Sequence, residues 1–439
     1  MKSTIKKLSI LLCATVPALL AIPCLAGNPI VNEAFPDVNI EIVGDTAYAF
    51  GGTDIRPYDM EVKYFVMPYW KLYASTDLVN WTLQSVLRPA ETSIGETDKC
   101  FAGHGVQRNG KWYWYLSNFV KSTHVAISDS PAGPWHDPLG KPLLPADISP
   151  TREYDPIVFN DDDGRAYIIF GSRIGNKLGY HIAELNDDMI SLKTQPKRLK
   201  IKGAPAEWEA EAVDAPFVHK YNGRYYLSWR QPYAMADNIM GPYHFVGRHD
   251  APGHGGFFEF NQQTFVNFTS LKSDMRRRYR FSSFAYVHYR DDGSIGPISD
   301  LIKMYGVGEY EAGWKKIEAE WYMGISGAVK SENAAGGFEI SGISNNDSLS
   351  FPNIHYVPDD ATITFNASAN GPGTIEIHKD SAAGELLGRV AVESTGNWRK
   401  YKTFTGQLEN PYGRHSLVFV FKSKQGDADF LHLDWFSIE

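Results

Sequence analysis

One phrase recurs along the first three hundred residues and limits the architecture more than any other feature. It is a polar turn, often Asn-Gly or Asp-Gly, followed at once by an aromatic-rich apolar strand. Copies are Gly44-Asp45-Thr46-Ala47-Tyr48, Asn109-Gly110-Lys111-Trp112-Tyr113, Asp163-Gly164-Arg165-Ala166-Tyr167 and Asn222-Gly223-Arg224-Tyr225-Tyr226, with a degenerate fifth at Asn261-Gln262-Gln263-Thr264-Phe265. Asn-Gly and Asp-Gly supply the positive φ angles that a two-residue hairpin turn needs. A second polar corner follows each copy: Ser75-Thr76-Asp77, Ser128-Asp129-Ser130, Asn186-Asp187-Asp188, Ala236-Asp237-Asn238 and Asp292-Gly293-Ser294. Two corners in each unit of about 40 to 65 residues, with almost no helical periodicity, describe a four-stranded blade. Five such units predict an all-β chain with a five-bladed propeller over residues 27–308. A β-sandwich with coincidental hairpins is the competing architecture.

The residues upstream of these turns carry the chemistry. Eleven or twelve positions before the strand aromatic of each unit stand Asp37, Phe101, Asp155, Asp214 and His254. The innermost strands of a propeller converge on its axis, so equivalent positions meet at one mouth of the channel. Three carboxylates would then face one pocket. Crowded carboxylates repel, which raises at least one pKa and separates a proton donor from a base. Glycoside hydrolysis asks for that division: one acid protonates the leaving oxygen while another carboxylate activates water. The bland alternative is that each Asp caps a turn at a strand start. Three in register, each beside a Pro, weigh against it.

At these residues the chain resembles glycoside hydrolase family 43, from Asn28 to about Val307. Phe35-Pro36-Asp37 is similar to the segment carrying the family's general base, Tyr154-Asp155-Pro156 to the one whose Asp tunes the acid and orients substrate, and Val213-Asp214-Ala215-Pro216 to the one carrying the general acid. The resemblance implies an inverting enzyme, closest to arabinofuranosidases and β-xylosidases. The family acid is Glu, and here Asp214 stands in its place, one methylene shorter. Glu211 and Glu209 lie close enough in sequence to be alternative acids. By the same resemblance Phe101 replaces a family Trp as a stacking face, Arg280 reaches substrate, and His254, within Gly253-His254-Gly255-Gly256, helps hold calcium on the axis. The run Arg276-Arg277-Arg278 reads as a solvated turn.

Beyond Gly308 the repeat stops, and about 120 residues of short strands predict a β-sandwich or jelly roll over 309–439. Its two ends, Ile317-Glu318-Ala319-Glu320 and Leu433-Asp434-Trp435-Phe436, resemble carbohydrate-binding module family 6. That likeness implies a structural calcium held by Glu318, Glu320 and Asp434. It aligns Gly342 with the family's sugar-clamping Tyr and His432 with its Asn, leaving Trp398 or Tyr401 as the remaining sugar platform. A domain that only buttresses the propeller is the alternative.

Lys2, Lys6 and Lys7 precede an apolar run from Leu8 to Ile22 and the small residues of a cleavage site, so residues 1–26 read as an export signal and the mature chain as periplasmic or extracellular. Lipidation at Cys24 is the less favoured alternative, since Pro23 precedes it. After cleavage Cys100 alone remains, which excludes a disulfide framework. The net charge of −8 repels phosphate backbones and argues against nucleic acid. Together these features predict an exported exo-glycosidase releasing a terminal sugar, L-arabinofuranose first and xylose next, with an oligo- or polysaccharide as partner. The alternative is a non-catalytic glycan-binding protein on the same fold.

Overall fold

A computed structural model describes residues 27–55, 64–174, 177–206, 214–409, 411–423, 426 and 428–439. The expected signal segment, Cys24 and the alternative acids Glu209 and Glu211 lie outside the described residues. The described chain is built almost wholly of strands, and the α-helix Asp300–Tyr305 spans less than two turns.

Five sheets follow one another through the first domain, with four, three, four, five and three strands, all antiparallel except where Ile201–Lys202 runs parallel to Tyr243–Arg248 in the fourth. Their opening strands are Asn39–Val43, Cys100–Arg108, Ile157–Asn160, Pro216–Tyr221 and Gly256–Phe260. Each is joined to its neighbour by one of the five recurrent turns. The turn chemistry is the expected one: Asn109 and Gly110 have φ of 52° and 80°, Asn222 and Gly223 of 46° and 74°. Asn261 and Gln262 reach the same left-handed region without glycine, at 50° and 59°. The second corners are tied by their own side chains. Asp77 Oδ1 accepts from the backbone N–H groups of Val79 and Asn80, and Asp188 Oδ1 from those of Ile190 and Ser191.

The opening strands pack side by side in sequence order, and the fifth also packs against the first. Apolar residues on the strands behind them fill the spaces between adjacent sheets. Phe50, Trp70, Trp112 and Trp114 lie between the first and second, and Tyr115, Val125, Ile168 and Phe170 between the second and third. The chain start is bound to the last sheet. Ile30 N–H donates to Ser282 O and Phe35 N–H to Arg280 O. Buried Asn28 donates to the carbonyls of Phe284, Ile302 and Lys303 at 2.9–3.1 Å and accepts from Phe284 N–H at 2.8 Å.

The second domain is a sandwich of two six-stranded sheets. One is centred on Ser348–Val357 and Gly413–Ser423, the other on Thr362–Ala369 and Leu431–Ile438. Alternate residues point inward, and Phe351, Phe365, Phe419 and Phe436 interlock with ring centroids 4.8–6.1 Å apart.

Asn28→Ala removes four hydrogen bonds at once and leaves buried backbone groups unsatisfied. It should lower stability by about 1–3 kcal/mol, read as an earlier midpoint in denaturant unfolding. An unchanged midpoint would show that the N-terminal segment does not secure the last sheet.

Candidate active site

The three aspartates sit where the chain turns into its opening strands, and the backbone there is strained. Asp37, Asp155 and Ala215, the neighbour of Asp214, take left-handed φ angles of 56°, 50° and 56°. Bulky residues avoid this region unless the surroundings enforce it, and such residues concentrate at functional sites. The repeated kink aims the three carboxylates at one place. They line a pocket of about 320 Å³ together with His254, Arg280 and Phe101.

His254 lies at the centre of the cluster. Its Nδ1 is 3.4 Å from Asp37 Oδ1, and its Nε2 is 3.9 Å from Asp155 Oδ2 and 3.8 Å from Asp214 Oδ2. Burial alone would lower the imidazole's pKa, but the carboxylates of Asp37, Asp155 and Asp214 raise it to about 9. One ring therefore bridges the three acids, and the Asp37 and Asp214 oxygens that face it are at most about 9.5 Å apart.

The surroundings divide the acids. Asp37 receives both its oxygens' bonds from Arg280 Nη1, at 2.7 and 2.9 Å. Asp155 is buried, and burial pushes its carboxyl upward; His254 opposes this while Asp214 and Asp37 add to it. Its Oδ2 accepts from Ala215 N–H at 3.0 Å, which ties it to the loop bearing Asp214. Asp214 is the most open of the three, with 22% of its side chain exposed against 5% for the others. Burial would raise it, but His254 and Arg230 outweigh that and hold it below the usual carboxylate range. Arg230 reaches Asp214 Oδ1 with Nε at 2.9 Å and Nη2 at 2.8 Å. In the resting site the proton is thus favoured on Asp155 and disfavoured on Asp214, the residue aligned with the family acid.

Phe101 lines the pocket as a stacking face, parallel to Tyr64 at 6.1 Å. Arg280 also lines it, yet its donors go to carboxylates: Nη1 to Asp37, Nε and Nη2 to Asp54. Its guanidinium is thus engaged by Asp37 and Asp54 within the protein. Asp54, Arg230 and Tyr64 are functional neighbours that sequence reading missed; each comes from an irregular segment, and a lone Asp after Gly-Gly-Thr was the faintest of signals. Arg276 and Arg277 are exposed, as a solvated turn requires, whereas Arg278 is a correction: it is half-buried and puts its guanidinium 5.1 Å from the Phe65 ring at the pocket wall.

In the second domain Glu318 is opposite Trp435 in register, next to Asp434. Burial raises the pKa of Glu318, Glu320 and Asp434; Asp434 adds to the rise of both glutamates, and Glu318 to that of Glu320. Glu318 pairs with Lys316, Asp434 accepts from Asn333 and Asn366, and the buried Oε2 of Glu320 has no hydrogen-bond partner. Trp398 is stacked on His432 at 4.1 Å, so one face of the platform is already covered. Tyr401 donates to Glu339, which also pairs with His432.

The family model of glycosyl hydrolases family 43 matches residues 26–251, and that of carbohydrate binding module family 6 matches residues 318–439. The chain belongs to glycosyl hydrolases family 43, with a module of family 6 behind the hydrolase domain, and it is a glycoside hydrolase. An arabinoxylan arabinofuranohydrolase of Paenibacillus polymyxa is 26% identical over 93% of this chain and 73% of its own length. Another from Bacillus subtilis (strain 168) is 25% identical, covering 82% and 81%. A solved Bacillus subtilis arabinoxylan arabinofuranohydrolase in complex with cellotetraose superposes with a TM-score of 0.56 at 21% identity, over 94% of this chain and 99% of that one. A β-xylosidase/α-arabinofuranosidase from a compost microbial metagenome, with xylotriose and in calcium-free form, gives 0.54 at 24% identity over 62% and 97%.

The His254 charge makes stability depend on pH. Its folded pKa is raised above the unfolded value of about 6.5, so its contribution is complete below that pH and is lost as pH rises through about 9. The difference in unfolding free energy between wild type and His254→Gln should therefore shrink from pH 6.5 to 9.5 in denaturant titrations. A pH-independent difference would mean that the ring carries no charge among the acids.

Proposed function

We propose that this protein is an exported, inverting, exo-acting glycosidase that removes terminal α-L-arabinofuranose, with β-xylose next, from xylan-type polysaccharide. The observation that carries it is the convergence of Asp37, Asp155 and Asp214 from corresponding positions of three sheets on one imidazole in a blind pocket. A pocket floored by acids takes the end of a glycan rather than its middle. The five sheets, each opening strand beside the next and the last beside the first, read as the blades of a propeller over 27–308, followed by the sandwich over 309–439. The printed activities of the relatives support the substrate class. Residues 1–26 would direct export.

Asp37 takes the role of base: Arg280 orients its carboxylate, which lines the pocket where water would attack the anomeric carbon. Asp214, at the open side, takes the role of acid toward the leaving oxygen. Its proton requires relief from Arg230, so a glycan hydroxyl that competes for the guanidinium would raise Asp214 and arm it. Asp155 sets the charge seen by both and holds the Asp214 loop through Ala215.

Calcium suits two donor sets. Asp155, Asp214 and His254 offer ligand atoms within 4.8 Å of one another, and the unpartnered Glu320 oxygen with Glu318 and Asp434 offers another in the second domain. Hard oxygen donors are what calcium takes, and it would supply fixed positive charge in either place. Trp398, by the face His432 leaves open, is the sugar platform of the second domain.

Kinetics of two variants test the assignment. Asp37→Ala should abolish release from arabinoxylan and from nitrophenyl glycosides alike, because both need activated water. Asp214→Ala should cost at least a hundredfold on arabinoxylan and far less on nitrophenyl glycosides, whose leaving group departs without a proton. Equal losses on both substrates for Asp214→Ala would move the acid role to Glu211 or Glu209.

A further inference from the structure

Three cavities lie in file along the axis of the first domain. The substrate pocket, about 320 Å³, ends on Asp37, Asp155 and His254. Those same residues roof a middle cavity of about 20 Å³, and a lower cavity of about 360 Å³ follows, open at the opposite face. The order is written in the strands. The middle cavity touches Asn39, Ile157 and Gly255, while the lower one touches Ile40, Val158 and Phe257, one or two residues farther along the same three opening strands. Phe217 borders both. A step of one strand residue is about 3.3 Å, so the cavities are successive rungs of one passage.

Size decides what could pass. About 10–15 Å³ of such volume holds one water, so the middle cavity admits water and excludes any sugar. Its walls offer partners to a water: the carboxylates of Asp37 and Asp155, and Asn39, whose Nδ2 is engaged by Gly103 O while its Oδ1 is a further acceptor. Below it stands His104, its ring 6.4 Å from that of Phe217 and its Nδ1 accepting from Val158 N–H.

We propose that this passage delivers the hydrolytic water to Asp37 from the face opposite the substrate pocket. The inference rests on the reading of Asp37 as the base of an inverting hydrolysis. In each turnover the oxygen of one water bonds to the anomeric carbon as the glycosidic C–O bond breaks; Asp37 takes a proton from that water, and the acid's proton goes to the leaving oxygen. One water is consumed, and the next must reach Asp37. A glycan end seated in a blind pocket closes the front route and leaves the axis open from behind, on the side of the ring where an inverting attack comes from.

The test narrows the passage away from the acids. His104→Trp fills the lower cavity just beneath the constriction, and its kcat on arabinoxylan should fall about tenfold or more with KM unchanged, since glycan binding precedes the arrival of water. His104→Gln keeps an acceptor for Val158 N–H and leaves room, and should restore kcat to within about twofold. A folded His104→Trp with wild-type kcat overturns the conduit, as does an equal loss in both variants. Because the Trp variant could fail to fold, a crystal structure of the wild type with L-arabinose in the pocket gives a second decision: ordered water in the middle and lower cavities is expected, and a dry middle cavity overturns the proposal. A wild type that releases no sugar from any xylan, with those waters present, would defeat the hydrolytic reading and leave the water path standing.

Discussion

The guanidinium of Arg280 is the interaction on which the site and the closure of its domain both depend. It comes from the last sheet, is buried, and divides its donors between Asp37 and Asp54 of the first. Burial raises Asp54 and Arg280 restrains it, so each charge is tolerated only because the other is present. Removing one partner of such a group typically costs about 3–5 kcal/mol, because the remaining charge is stranded away from water. The arrangement therefore couples two things that need not have been coupled. A chain whose first and last sheets failed to meet would also leave the Asp37 carboxylate unoriented.

From that anchor the rest of the electrostatics follows. Three carboxylates in one pocket cannot all be ionised without counter-charge, and the structure provides three cations of differing reach. Arg280 serves Asp37, Arg230 serves Asp214, and His254 touches all three. Among the described residues no arginine pairs with Asp155, whose carboxyl burial drives up, while His254 and Arg230 hold Asp214 down. Arg230 is itself held with a left-handed φ of 60°, a cost borne at the residue that controls Asp214.

The repeat made the five hairpins and the register of Asp37, Phe101, Asp155, Asp214 and His254 legible, because turn chemistry and strand spacing are local properties. Arg280 was also legible as a site residue, but its action was not: a sequence cannot say that a side chain's donors are already taken. Asp54, Arg230 and Tyr64 were illegible because irregular segments carry no period. The division of protons between Asp155 and Asp214 was illegible for a deeper reason, since it depends on burial and on distances of 3–4 Å between residues far apart in the chain. In the second domain the stacking of His432 on Trp398 was illegible, because it is a tertiary contact between Trp398 and a strand more than thirty residues on.

The seam between the domains gives the second one a mechanical part in the first. Gln263 Nε2 donates to the carbonyls of Glu320 and Tyr322, and Tyr322 Oη donates to Gln262 O. Lys330 Nζ crosses from the sandwich to Gln263 Oε1 at 2.6 Å and Val287 O at 3.0 Å. Burial pushes that amine down to about 7, and a lysine is buried this way only where its hydrogen bonds are kept. All of these contacts but the one to Val287 fall on the fifth hairpin, the one turn of the five that lacks glycine and holds two residues at positive φ without it. Its opening strand begins at Gly256, two residues after His254. The sandwich thus secures the strained turn at the far end of the strand that follows His254.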